Sequence, residues 1–188
     1  MSVSSFRIAK LAPGFDLGAF DCGEPEYNQW LTQHSLQAVD AGASTVYLLL
    51  EAAPTAQERV VGYFAICPTL VVRDDMPKPL QRKVLRSAPG WLLAKLALDH
   101  TRRGDKAHQW GSQLLRAALE RIISAAEVGG GQIIVVDADN PGLVGWYERH
   151  GFSSTGGSNV RMYMKVATAR KYVGPAGSFP SARKRAWR

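Results

Sequence analysis

Two short stretches of this chain hold side chains whose types and spacing suit chemistry. The first is His100-Thr-Arg-Arg-Gly-Asp-Lys-Ala-His108, a basic loop that runs into a helical pattern starting near Trp110. A helix's first N–H groups lack intrahelical acceptors, and its dipole favours negative charge. A basic loop feeding a helix N-terminus is therefore a plausible anion cradle. The second is Asp139-Asn-Pro-Gly-Leu-Val-Gly-Trp-Tyr-Glu-Arg-His-Gly-Phe152, which places Tyr147 seven residues after Asn140. A phenol with a pKa of about 10 stays protonated at neutral pH and can donate a proton. The bland alternatives are that Tyr147 packs beside Trp146 as core and that Asn140 caps a helix opening at Pro141. Asp99, His100, His108, Asp137 and Glu148 are candidate general bases by type alone.

The elements that position these residues follow from periodicity. Trp91-Leu-Leu-Ala-Lys-Leu-Ala-Leu-Asp99 reads as a strand. Alternation puts Leu92, Ala94, Leu96 and Leu98 on one face and Leu93, Lys95, Ala97 and Asp99 on the other. Leu115, Leu119, Ile122 and Ala126 share a helix face, and Gly129-Gly-Gly131 ends that helix. Gln132–Asp137 is a buried strand, Pro141–His150 a short helix stopped by Gly151, and Arg161–Val166 a final strand. Upstream, Phe6–Leu11 is a strand. Pro25 opens a helix whose inner face is Tyr27, Trp30, Leu31, His34 and Ala38, with His34 read as a packed core residue. Ser44–Leu50 and Arg59–Ile66 form an antiparallel hairpin. Pro68 to Pro89 is a long insert, with a short helix expected at Leu80–Leu85.

At 188 residues and 46% hydrophobic content, one domain with a sizeable core is expected. No apolar run reaches a membrane span of roughly 20 residues, and the N-terminus lacks the apolar stretch of a signal peptide. Cys22 and Cys67 lie far apart without metal-ligand spacing, so no metal is expected. They read as small buried thiols in a reduced, cytoplasmic protein. The net charge is +7, but residues 149–188 hold nine Lys/Arg and no Asp/Glu. Such a footprint suits a polyanion such as RNA, or else a solvated tail. From Thr168 the composition turns to Gly, Pro, Ser and Arg, so a domain over 1–167 and a disordered basic tail over 168–188 are expected.

The Asn140-x6-Tyr147-x3-Gly151-Phe152 pattern resembles the closing motif of the GCN5-related N-acetyltransferases. Phe20-Asp-Cys-Gly-x4-Asn-x-Trp-Leu, Gly42-Ala-Ser-Thr45, Val61-Gly-Tyr-Phe64 and Leu92–Asp99 resemble the toxin-type members of bacterial toxin–antitoxin pairs. The resemblance covers roughly residues 5–167. It implies an α/β (α+β) fold with a central mixed twisted sheet of about six or seven strands, flanked by helices. In that fold the sheet is splayed where the cofactor binds. It also implies acetyl-CoA as donor and, for the toxin type, acetylation of the α-amine of aminoacyl-tRNA, which blocks translation. The implied general acid is Tyr147, donating to the departing sulfur. Asn140 would hold the pantetheine amide with Gly142 nearby, and Leu96, Ala97 and Leu98 would supply backbone contacts to pantetheine and carbonyl.

The chain departs from the family in the phosphate loop, usually Arg/Gln-x-x-Gly-x-Gly/Ala. Registered on Gly111, it reads Lys106-Ala-His-Gln109-Trp110-Gly111, preceded by a longer loop. Gln109 stands where the family has glycine and can offer its N–H if its φ is negative. Arg102, Arg103 and Lys106 can supply side-chain charge instead, with Gly104, Trp110 and Ser112 close by.

Three functions stay open at this point. The first is an aminoacyl-tRNA acetylating toxin, with a ribbon-helix-helix antitoxin and a second copy of the chain as its expected partners. Its tRNA surface would be Arg82, Lys83, Arg86, Arg149, Arg161 and the C-terminal tail. The second is an acetyltransferase of a small amine or a protein N-terminus. The third is a catalytically weak module that binds RNA or a partner chain.

Overall fold

The computed structural model describes residues 5–52, 57–156 and 160–174. Its strands are β1 (Ser5–Lys10), β2 (Thr45–Ala52), β3 (Arg59–Val72), β4 (Ser87–Leu98), β5 (Ile133–Asp137), β6 (Ser153–Ser154) and β7 (Arg161–Lys165). They form a seven-stranded mixed sheet in the order β1-β2-β3-β4-β5-β7-β6. The helices are α1 (Pro25–Gln29), α2 (Ser35–Asp40), α3 (Lys78–Gln81), α4 (Trp110–Gly129), α5 (Pro141–Arg149) and α6 (Val166–Val173). The chain divides into two compact units, the first drawn from residues up to 64 and 95–117, the second from 65–94 and 118–175.

In the first unit β1 pairs antiparallel with β2, from Ser5 opposite Ala52 to Lys10 opposite Tyr47. Val46, Leu48, Leu49, Val61, Tyr63 and Phe64 are fully enclosed, as a buried strand pair requires. The helical segment from Pro25 differs from expectation. A π turn, Trp30–His34, separates α1 from α2. A π turn closes its hydrogen bonds one residue later than an α turn, so it shifts the faces of the helix. Leu31 and Ser35 point inward, and His34 is exposed rather than packed.

In the second unit β4 runs parallel to β5, Gly90 to Leu93 opposite Ile133 to Val136. β5 pairs antiparallel with β7, and β7 with the two-residue β6. Gly90 sets the approach of the parallel pair, since a Cβ there would lie 2.6 Å from the Ile133 carbonyl oxygen. Val71, Met76, Val84, Ala88, Ile133, Val135 and Tyr163 form a core cluster.

Three features of this unit depart from the sequence expectation. β3 continues six residues beyond Ile66, because alternation persists through Pro68, with Val71 buried and Leu70 and Val72 exposed. The helix in the insert is Lys78–Gln81, not Leu80–Leu85. A proline fits its first turn, and Arg82, extended at ψ 127°, ends it, with Lys83 at φ 61° following. Finally, α6 crosses the expected boundary at 167/168. Val166, Ala169 and Val173, spaced by three and four residues, are its buried stripe. The remainder of the expected tail lies outside the described residues. No described helix is long and apolar enough to cross a membrane.

Candidate active site

In the first unit the end of β4 is organised by one carboxylate. The Asp99 side chain is wholly buried. Its oxygens accept hydrogen bonds from the Thr101 N–H (3.0 Å), the Thr101 hydroxyl (2.6 Å) and the Asp21 N–H (3.3 Å). Arg59 completes the set with Nη2 at 2.9 Å. Burial pushes the Asp99 carboxyl up, but these donors outweigh it and hold it below its ordinary range. A carboxylate held this firmly in its charged form is a poor proton acceptor at neutral pH. Asp99 is thus a structural anchor rather than a general base. Immediately before it, Ala97 is buried, while Leu96 and Leu98 are half-buried.

The basic loop is folded on itself. Arg102 forms an ion pair with Glu51, and Arg103 donates to the Cys22 carbonyl. Gly104, at φ 76°, turns the chain. Asp105 then accepts from the Ala107 N–H (3.0 Å) and the His108 N–H (3.1 Å), and its second oxygen lies 2.6 Å from His108 Nδ1. The Gln109 N–H donates to the Asp105 carbonyl at 2.8 Å. Gln109 has φ 49°, so the negative φ required for it to present its N–H is not adopted. The loop keeps the left-handed backbone that glycine would adopt there, with a side chain attached.

Lys106 is exposed. Trp110 is buried, its ring 4.1 Å from Phe6 and stacked on His108 at 5.1 Å between centroids. A ligand can therefore reach only the backbone of Trp110. Trp110, Gly111 and Ser112 form the first turn of α4, whose dipole favours negative charge.

The second unit holds the Asn140–Tyr147 motif. Asn140 sits at the N-cap position of α5 with extended backbone, yet its side chain makes no capping bond. Gly142 leaves room for it, since a Cβ there would come within 3.0 Å of Asn140 Oδ1. The Asn140 side chain is exposed and not spent on the helix. Tyr147 is buried, edge-on to Trp146 (4.8 Å) and to Phe152 (5.5 Å). Burial, reinforced by the Asp139 charge, raises its phenol well above the ordinary value. It is protonated throughout the neutral range, as a proton donor must be.

The other candidates separate clearly. Asp137 is held bidentately by Arg161, both contacts at 2.7 Å, so neither is a freely available base or phosphate ligand. Glu148, Arg149, Arg82, Lys83 and Arg86 are exposed. Cys22 is buried and Cys67 half-buried, and burial raises both thiols, which fits small packed residues. No group of three or more His, Cys, Asp or Glu among the described residues is placed to hold a metal.

Four features carry no strong signal in the sequence. Asp21 accepts from the Gly23 N–H (2.7 Å) and the Asn28 amide (2.7 Å) and ties the Phe20–Gly23 turn to α1. Its Asp-x-Gly spacing is a turn signal. An open groove of about 680 Å³ runs along that turn, lined by Phe20, Asp21, Pro25, Asn28 and Thr32 among others. Arg59 and Glu51, partners of Asp99 and Arg102, come from β3 and β2 and have no local signal.

No family model matches the chain. A tRNA-acetylating toxin of Mycobacterium tuberculosis is 26% identical over 165 residues, 88% of this chain and 95% of the relative. The structure of AtaT complexed with acetyl-methionyl-tRNAfMet superposes with a TM-score of 0.77 at 26% identity, covering 89% of this chain and 98% of that one. A tyrosine-to-phenylalanine mutant of the AtaT toxin, bound to the C-terminus of the antitoxin AtaR and acetyl-CoA, gives 0.71 at 23% identity, with 88% and 96% covered. The chain has the GCN5-related N-acetyltransferase fold, as the toxin-type acetyltransferases do.

Proposed function

We propose that this chain is an acetyl-CoA-dependent N-acetyltransferase that acetylates the α-amine of aminoacyl-tRNA and thereby acts as a toxin blocking translation. The observation that carries this reading is the likeness, over nearly the whole length of both chains, to a tRNA-acetylating toxin. The same fold has been seen with acetylated methionyl-tRNA in AtaT.

The residue roles follow from the chemistry. Acetyl-CoA supplies an activated acetyl group. Tyr147 carries the proton for the leaving thiolate; a phenol is protonated at neutral pH, and burial keeps it so. Asn140 offers an uncommitted amide to pantetheine, with Gly142 leaving it room. The backbone of Leu96, Ala97 and Leu98 offers donors and acceptors at the end of β4. The first turn of α4 offers N–H groups for the diphosphate, and Lys106 adds mobile charge. Arg103 and Gln109 contribute only after their present hydrogen bonds open.

No protein base is needed for this acceptor. The α-amine of an aminoacyl ester is less basic than a lysine, so a good fraction is already neutral near pH 7–8. Asp99 and Asp137 are engaged by arginines, which agrees with a mechanism that leaves deprotonation to water.

The exposed cations Arg82, Lys83, Arg86 and Arg149 supply a surface for tRNA phosphates, with affinity falling steeply in salt. The reading also includes a ribbon-helix-helix antitoxin, a homodimer and residence in the cytoplasm. The test is thiol release from acetyl-CoA with charged tRNA, uncharged tRNA and free amines. Release that requires charged tRNA supports the reading. Release with free amines but not charged tRNA replaces it with a small-amine acetyltransferase.

A further inference from the structure

Among the described residues, Lys95 is a charge with no ion-pair partner closer than 3.6 Å. It lies on β4, on the strand face shared with Ala97 and Asp99. Only 18% of its side chain is exposed. Its ammonium sits 4.3 Å from the centroid of the Tyr27 ring. The nearest carboxylate is Glu26 at 3.6 Å, and that side chain is 86% exposed. An ammonium has three donors and no acceptor. At 3.6 Å Glu26 lies beyond a good hydrogen bond, and solvent weakens such a pair. Tyr27 supplies a cation–π contact, which holds the charge in place without using its N–H groups.

A lysine needed only for packing would usually extend its head into water. Here the stem is enclosed and the head is fixed over a ring, with its hydrogen-bonding capacity unspent among the described residues. The cost of holding a charge this way is offset if an anion completes the shell. Two residues along a strand span about 6.6 Å. That separates the Lys95 backbone from the Ala97 backbone, to which the proposed function assigns contacts with the donor, by about the spacing of successive phosphates in a nucleotide chain. The acceptor of that function carries, next to the esterified ribose, a phosphodiester.

We propose that Lys95 binds the phosphodiester preceding the terminal ribose of the aminoacyl acceptor, and so positions the α-amine. It is a positioning residue, since it holds the acceptor by its phosphate and not by its reacting atoms. This proposal rests on the aminoacyl-tRNA reading given above.

The experiment compares two acceptors with purified full-length protein. One is charged tRNA. The other is the same amino acid esterified to adenosine without a phosphate. Lys95→Met keeps the stem and removes the charge. The expected result is a KM for charged tRNA raised at least tenfold, an unchanged KM for the phosphate-free ester, and unchanged acetyl-CoA affinity by calorimetry. Lys95→Arg should restore most of the loss. Equal effects on both acceptors, or no effect on either, would overturn the proposal. If the wild-type protein acetylates the adenosine ester but not charged tRNA, the functional reading itself has failed, a result distinct from an inert Lys95.

Discussion

Arg59 holds a guanidinium nitrogen 2.9 Å from the carboxylate of Asp99, which has no exposed surface. The pair joins β3 to the end of β4, and the same carboxylate receives N–H groups from Thr101 and Asp21. Replacing it strands buried donors. Asp99→Ala is expected to destabilise the protein by about 2–4 kcal/mol, read by urea unfolding. An unfolding midpoint within error of wild type would contradict this role. The pH dependence follows from the sign of the shift. The folded-state pKa is depressed, so the stabilisation is complete above the unfolded value of about 3.9 and is lost as pH falls through the lower folded value. Wild type should lose stability in that acid window more steeply than Asp99→Asn.

Tyr147→Phe removes a proton donor and keeps the ring contacts with Trp146 and Phe152. The fold should persist by circular dichroism. Turnover with charged tRNA should fall at least about tenfold, equivalent to 1.4 kcal/mol of barrier. Unchanged turnover would remove the phenol from the mechanism.

Gln109 carries a side chain at φ 49°. Left-handed backbone costs a non-glycine residue roughly 1–2 kcal/mol, while glycine gains entropy on unfolding worth about 0.5–1 kcal/mol. Gln109→Gly should therefore raise stability by about 0.5–1 kcal/mol in denaturant melts. A loss of stability would show that the glutamine side chain contributes more than its backbone costs.

Asp105 places an anion on the amides of Ala107 and His108, within the loop proposed above to receive the diphosphate. An incoming diphosphate meets a like charge and occupied donors. Asp105→Ala should tighten acetyl-CoA binding roughly threefold to tenfold by calorimetry at low salt, with the gain shrinking as salt rises. Weaker binding would mean that the carboxylate shapes the loop for its ligand.

Truncation must respect α6. Removing residues 168–188 takes away Ala169 and Val173, which are buried, and should destabilise the second unit. Removing only 175–188 deletes four Lys/Arg. That shorter deletion should leave unfolding unchanged and weaken RNA binding more than acetyl-CoA binding. The slope of log affinity against log salt should become shallower by roughly 0.7–0.9 for each phosphate that the shortened chain no longer neutralises. Equal RNA affinity before and after would discount the tail.

Much of this architecture is legible in local pattern. The alternation of Leu93, Ala97 and Asp99, the Leu115–Ala126 stripe and Pro141 at the start of α5 all mark their elements directly. α6 is hidden because Gly- and Ser-rich composition after it dilutes a short apolar stripe. Within the site, Asn140 and Tyr147 are legible because they flank and occupy one helix at fixed spacing. The partners Arg59, Glu51 and Cys22 are not, because each reaches its target from a strand or turn 40 or more residues away. The self-satisfied loop at Asp105 is hidden too. Positive φ at a glutamine follows from the loop's hydrogen bonds, not from residue preference.

The π turn at Trp30–His34 amounts to a phase slip in an otherwise regular rod. One surplus residue is absorbed without a bulging loop, and everything downstream arrives rotated. Shortening that turn by a single residue would put the rod back in step. The α2 segment would then present a different stripe inward. Side-chain replacements at the same positions leave that timing untouched, so length, not chemistry, is what this stretch cannot trade.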